Sequence, residues 1–119
     1  MKQIIASRGT GKSTQLLRTA LNEKANLAVC YHSQLQYYAD IAKSLGINES
    51  EIEVTPYYLK IRDTVVAPIY KFREHPTSSL FSRKPLYIDE LDWCMKSLLD
   101  YCELAGYSIS LEDNHLELE

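Results

Sequence analysis

A chain of 119 residues, 45% hydrophobic and 24% charged, has the length of one domain and the apolar content for one core, which excludes a disordered chain. The three cysteines, Cys30, Cys94 and Cys102, make an odd count with no C-x-x-C spacing, which excludes a disulfide framework and a cysteine-based zinc site and leaves them as reduced core residues. The net charge of −3 is unevenly spread: between Tyr57 and Lys84 the basic residues Lys60, Arg62, Lys71, Arg73, Arg83 and Lys84 face only Asp63 and Glu74, whereas from Asp89 to Glu119 Lys96 is the one basic residue.

Met1-Lys2-Gln3 passes straight into a short apolar run rather than a secretory signal, and nothing approaches the roughly 18 apolar residues of a membrane helix, so a soluble cytoplasmic protein is expected. Gln3 to Ala6 reads as a strand that stops at a loop holding Gly9 and Gly11. From Thr14 to Lys24, Leu16, Leu17, Ala20 and Leu21 then fall on one helical face. Leu27-Ala28-Val29-Cys30-Tyr31 is the continuous apolar run of a parallel strand buried on both faces.

Ser33 and Gln36 fit a capping box, and Leu35, Tyr38, Ala39, Ala42 and Leu45 recur at helical spacing until Gly46. Ile52, Val54, Tyr57 and Leu59 suggest a third strand, interrupted or ended by Pro56. About 60 to 85 the chain carries Pro68, Pro76 and Pro85 and no sustained period, and reads as an insertion or mobile loop in which Tyr70 and Phe72, or Val65 to Ile69, are candidates for a short element. Leu86-Tyr87-Ile88 is a strand ending at Asp89-Glu90. Leu91, Cys94, Leu98, Cys102 and Ala105 then mark a helix that Gly106 ends, Tyr107 to Leu111 reads as a last strand, and His115 to Glu119 as a frayed end. Strands alternating with helices predict one α/β domain over 1–119, a parallel sheet with flanking helices in a three-layer α/β/α arrangement.

Two motifs carry chemistry. Ala6-Ser7-Arg8-Gly9-Thr10-Gly11-Lys12-Ser13 has the spacing G-x-x-x-x-G-K-[ST] of a phosphate-binding loop, with alanine for the first glycine, and it sits between an apolar strand and an amphipathic helix as the mechanism requires. Backbone N–H groups from Ser7 through Thr14 would cradle phosphate oxygens at the positive end of the helix. Lys12 would bridge the β- and γ-phosphates of ATP, the Ser13 hydroxyl would coordinate Mg²⁺, and the Arg8 guanidinium is placed to reach the γ-phosphate. The second motif is the pair at the end of Leu86-Tyr87-Ile88, where Asp89 would complete the Mg²⁺ shell and Glu90 would orient the attacking water. Residues 57–84 interleave their basic side chains with Tyr57, Tyr58, Tyr70, Phe72 and Phe81, a pattern suited to single-stranded nucleic acid through phosphates and stacked bases, or to a protein partner. His32, His75 and His115 have no ligand spacing.

With both motifs in view the chain resembles the P-loop NTPases, in the division where a glutamate follows the Walker B aspartate. The specific likeness covers residues 6 to 14 and 86 to 90. The run from Ala6 to Thr14 looks like the arginine-containing loops of viral genome-packaging terminases, and small proteins of this shape are familiar from bacteriophage genomes. The resemblance implies a minimal P-loop NTPase fold and slow Mg-dependent ATP hydrolysis in phage-like nucleic-acid metabolism or packaging, in the host cytoplasm. A complete helicase or terminase motor is far longer. Either a homo-oligomer supplies residues across its interfaces, or the chain is a nucleotide-gated binding module without turnover. "GKSTQLL" also looks like nucleoside and nucleotide kinases, but neither their zinc cysteines nor their nucleoside-enclosing lasso is here, and Arg62, Arg73 and Arg83 are too dispersed for an arginine-rich lid.

Overall fold

The computed structural model describes residues 4–5, 11–74, 80–81, 84–99, 105 and 116–117. In chain order the elements are β1 (Ile4–Ile5), α1 (Lys12–Glu23), β2 (Asn26–Val29), α2 (Gln34–Ser44), a 3₁₀ turn (Glu49–Glu51), β3 (Ile52–Val54), β4 (Leu59–Ile61), β5 (Thr64–Pro68), α3 (Ile69–Glu74), β6 (Leu86–Ile88), α4 (Leu91–Leu98) and β7 (Leu116–Glu117). Five strands form one sheet in the order β3-β4-β5-β2-β6.

The sheet is mixed, which corrects the all-parallel expectation. β2 pairs in parallel with β5 and β6, but β4 runs antiparallel to both β3 and β5. The cause is local: β3, β4 and β5 follow one another through short turns, and a tight turn can join only antiparallel neighbours. Pro56 does end β3. In the turn after it, Thr55 Oγ1 accepts from the backbone N–H groups of Tyr57 and Tyr58 at 3.2 and 2.9 Å. Between β4 and β5 there are only Arg62 and Asp63, and Arg62 itself takes the left-handed φ of 54° that such a turn demands.

Residues 60 to 85 are therefore not simply an insertion or loop. Thr64–Pro68 is buried at every position and pairs with β2, and Ile69–Glu74 is helical. A strand covered on both faces shows an unbroken apolar run rather than alternation, and the flanking prolines and lysines mask so short a run. Asn26, only 1% exposed, fastens β2 to β5 by accepting from Val65 N–H at 3.0 Å through its side-chain oxygen.

The alternation of side chains along β2 builds two cores. Leu27 and Val29 join Val66, Leu59 and Ile61 against Leu16 and Leu17 of α1 and Leu35, Tyr38, Ala39, Ile41 and Ala42 of α2. Ala28 and Cys30 face the other way, toward Ile69 and Phe72 of α3 and Cys94 and Leu98 of α4. Helices thus cover both faces, and each fully buried Leu on the larger side is worth about 1.5–3 kcal/mol.

β1 does not join the five-stranded sheet but pairs in parallel with β7, Ile4 opposite Leu116. Leu116–Glu117 is thereby a strand rather than part of a frayed end. α4 closes at Leu98, with Leu99 as its cap, and Ala105 lies outside any helix, so the helix is shorter than the expected run to Gly106. Cys102, Gly106 and the expected strand at Tyr107 to Leu111 lie outside the described residues. Gly46 ends α2 as expected: at φ 84° it lets Ile47 N–H reach Ala42 O and its own N–H reach Lys43 O. The capping box is not formed. Ser33 makes no side-chain cap, and Gln34 Oε1 instead accepts from Cys30 and Tyr31 N–H at 3.0 and 2.8 Å. Among the described residues no helix is long and apolar enough to cross a membrane.

Candidate functional site

α1 begins at Gly11, whose φ of 81° is open to glycine at no steric cost. No side chain caps this helix start, and its first turn holds no acidic residue. Its leading N–H groups, which no described side chain caps, lie at the positive end of a twelve-residue dipole. Ser7, Arg8, Gly9 and Thr10 lie outside the described residues. Lys12, Ser13 and Thr14 form the first turn of α1 and are each half-buried.

The two sequence motifs meet here. Lys12 Nζ lies 2.5 Å from Glu90 Oε1 across 78 residues of chain. One residue along on each side, Ser13 Oγ donates to Asp89 Oδ2 at 3.2 Å. The register of β2 and β6 accounts for this: Ala28 lies opposite Ile88, and Asp89 N–H continues the ladder to Ala28 O at 2.9 Å. The two carboxylates therefore emerge where β6 ends, beside the start of α1.

Asp89 is 3% exposed. Its Oδ2 takes hydrogen bonds from Ser13 and from Tyr38 Oη, the latter at 2.5 Å, while Oδ1 is buried with no partner among the described residues. A buried carboxylate oxygen with no donor is costly unless something cationic completes it. Burial, reinforced by the charge of Asp89 and its hydrogen bond, pushes the Tyr38 hydroxyl far above the ordinary tyrosine range. Tyr38 thus remains a proton donor to Asp89 at any ordinary pH. The helical pattern placed Tyr38 on the apolar face of α2, and its one sequence signal was a hydroxyl in a stripe of leucines and alanines.

The backbone at this corner is over-determined. Cys94 N–H bonds Glu90 O at 3.0 Å, Cys94 Sγ donates to Asp89 O at 3.2 Å, and Asp89 N–H is held by β2. Burial, with Cys30 and Asp89 adding to it, pushes the Cys94 thiol up to about 12. Held in this way, Glu90 adopts φ 53°, ψ 64°, a left-handed conformation that costs a residue with a Cβ about 1–2 kcal/mol. Strain of this kind persists where the surroundings enforce it, and it concentrates at functional sites.

Asp89 and Ser13 supply hard oxygen donors, and the partnerless Oδ1 fits a small divalent cation. Among the described residues no group of three or more His, Cys, Asp or Glu forms a full cage. Mg²⁺ takes one or two protein oxygens and leaves the rest of its shell to phosphate and water.

The basic and aromatic side chains of 57–84 largely engage one another. Lys71 Nζ lies 5.1 Å from the ring centroid of Tyr57 and 5.5 Å from that of Tyr70. Phe81 packs edge-on against Tyr58 and Phe72, Arg62 reaches Glu51 at 3.5 Å, and Lys84 Nζ donates to Asp63 O at 2.5 Å. Tyr57 nevertheless stays 62% exposed. Arg83 and His75 lie outside the described residues.

Comparison of the chain with protein-family models, with curated proteins and with solved structures found no match. The chemistry of the site therefore follows from its own geometry.

Proposed function

We propose that this chain binds ATP with Mg²⁺ at the start of α1 and hydrolyses it slowly, and that its α/β sheet is a minimal form of the P-loop NTPase fold. One observation carries the reading: Lys12 and Ser13, side by side at the start of α1, meet Glu90 and Asp89, and one oxygen of the buried Asp89 has no partner among the described residues. A lysine, a hydroxyl and two carboxylates at the start of a helix form the set that phosphoryl transfer uses.

Triphosphate binding would draw Lys12 from Glu90 onto the β- and γ-phosphates, a modest exchange because the Lys12–Glu90 pair is partly solvated, with side chains 20% and 29% exposed. Glu90, released, would orient a water at the terminal phosphate as general base. Ser13 and Asp89 would hold the cation, which supplies charge neutralisation for the phosphate oxygens. Tyr38 would fix the Asp89 rotamer, and Arg8 is assigned to the γ-phosphate. The likeness to terminase loops and the exposed Tyr57 beside Lys71 support a role in phage-like nucleic-acid metabolism or packaging, with unpaired nucleic acid as partner.

Titration of Mg-ATP against wild type and Lys12→Ala, with phosphate release from wild type and Glu90→Gln, tests this. Binding unchanged by Lys12→Ala overturns the site. Binding without release in wild type replaces the ATPase with the nucleotide-gated module. Ordering of 60–85 as a whole by nucleotide would not be how such a module works, since β5 and α3 already occupy 64–74.

A further inference from the structure

Cys30, Tyr31, Gln34, Glu90 and Trp93 line a cavity of about 270 Å³ at the end of β2, next to the Lys12–Glu90 pair. Its size is just under the roughly 300–1,000 Å³ of pockets for drug-sized molecules, so it suits one ring system. Two of its walls are aromatic, and both stay open to solvent, Tyr31 at 45% and Trp93 at 38%. The indole is itself engaged by Lys96, whose Nζ lies 5.0 Å from the ring centroid.

The polar lining is as specific as the walls. Glu90 brings a carboxylate, an acceptor of paired donors. Gln34 has its amide oxygen occupied by Cys30 and Tyr31 N–H, so its N–H₂ is the part left for a ligand. The cavity therefore offers flat apolar walls, one carboxylate acceptor and one amide donor. Of the common nucleobases, guanine alone carries two adjacent N–H donors, N1–H and N2–H₂, followed on the same edge by a carbonyl acceptor, O6.

We propose that this cavity binds a guanine base, stacked against Trp93 and Tyr31, with N1–H and N2–H₂ donating to Glu90 and O6 accepting from Gln34. Stacking on an aromatic side chain gives affinity to any base, and the carboxylate with the amide selects guanine. The base comes either from a free nucleoside or from an unpaired guanine in a strand. Of the described residues assigned to the nucleotide site, Glu90 alone also lines this cavity.

Trp93 is the one tryptophan of the chain, so intrinsic tryptophan fluorescence reports on this cavity alone. The full chain is titrated with guanosine, with adenosine, and with a thymidylate decamer with or without a single central guanine. Saturable quenching by guanosine is expected, at an affinity about tenfold or more above that of adenosine, whose edge reverses donor and acceptor. Gln34→Glu keeps an oxygen for Cys30 and Tyr31 but sets a carboxylate against O6, and weakens guanosine about tenfold or more. Quenching by the guanine-bearing decamer alone identifies a strand as the source, and by guanosine alone a free nucleoside. Equal quenching by adenosine, or none from guanosine and the guanine-bearing decamer, overturns the proposal. Nucleosides carry no phosphate, so Mg-ATP binding by wild type is measured beside the guanosine titration; loss of one with the other intact distinguishes failure here from failure of the nucleotide site.

Discussion

Tyr38 Oη donates to Asp89 Oδ2 at 2.5 Å, joining the middle of α2 to the end of β6 across 51 residues of sequence. Tyr38 is fully buried and belongs to the larger core, so the Asp89 carboxylate is oriented from within the hydrophobic packing.

Removing only this hydroxyl, in Tyr38→Phe, leaves the Asp89 carboxylate with Ser13 as its one donor among the described residues. A loss of about 1–3 kcal/mol in urea unfolding is expected, because a buried charged acceptor loses a partner while the ring keeps its packing. A loss within 0.3 kcal/mol of zero, roughly the scatter between independent sites, would mean that Asp89 is oriented by other contacts.

Alkaline pH should act through the same corner. Tyr38 and Cys94 both hold their protons more tightly folded than unfolded, Cys94 from 9.0 up to about 12. Above pH 9 the unfolded chain therefore sheds protons that the folded chain retains, and stability, fully present below that pH, falls as pH rises. Urea midpoints at pH 7, 9 and 10 should decline in that order, and Cys94→Ala should flatten the fall between pH 9 and 10.

The left-handed Glu90 sets stability against chemistry. Glu90→Gly and Glu90→Ala both remove the carboxylate and the pair with Lys12, but only glycine is at ease at φ 53°. The glycine variant should be the more stable by about 1 kcal/mol in thermal unfolding, and both should lose about 10²–10⁴ of any ATP turnover. Equal stabilities would show that the backbone relaxes once the side chain is gone.

A comparable strain lies far from the site. Lys24 closes α1 at φ 54° with Ala25 N–H on Ala20 O, the bonding pattern that Gly46 makes after α2. Lys24→Gly should raise stability by about 0.5–1 kcal/mol without touching nucleotide binding. Calorimetry with and without Mg-ATP checks both halves.

Asn26→Ala should cost about 1–3 kcal/mol, since it leaves Val65 N–H buried without its acceptor in the middle of the sheet. A smaller loss in thermal unfolding would mean that water reaches that N–H.

What could be read from residues alone was local. The start of α1 at Gly11-Lys12-Ser13, the stop of α2 at Gly46, the end of β3 at Pro56 and the carboxylates closing β6 each depend on a few neighbouring residues with strong conformational preferences or on one apolar period. Those preferences act over a turn or less, so the sequence expresses them directly. The antiparallel course of β4, the burial of Thr64–Pro68 and the pairing of β1 with β7 depend on which distant strand lies alongside, and no local period encodes that. The same holds at the site. Sequence by itself placed Lys12, Ser13, Asp89 and Glu90 at the ends of their elements. Only the tertiary structure brought Lys12 onto Glu90, gave Asp89 a buried tyrosine donor and left its second oxygen without one, because those contacts join residues 51 to 78 positions apart once β6 lies beside β2.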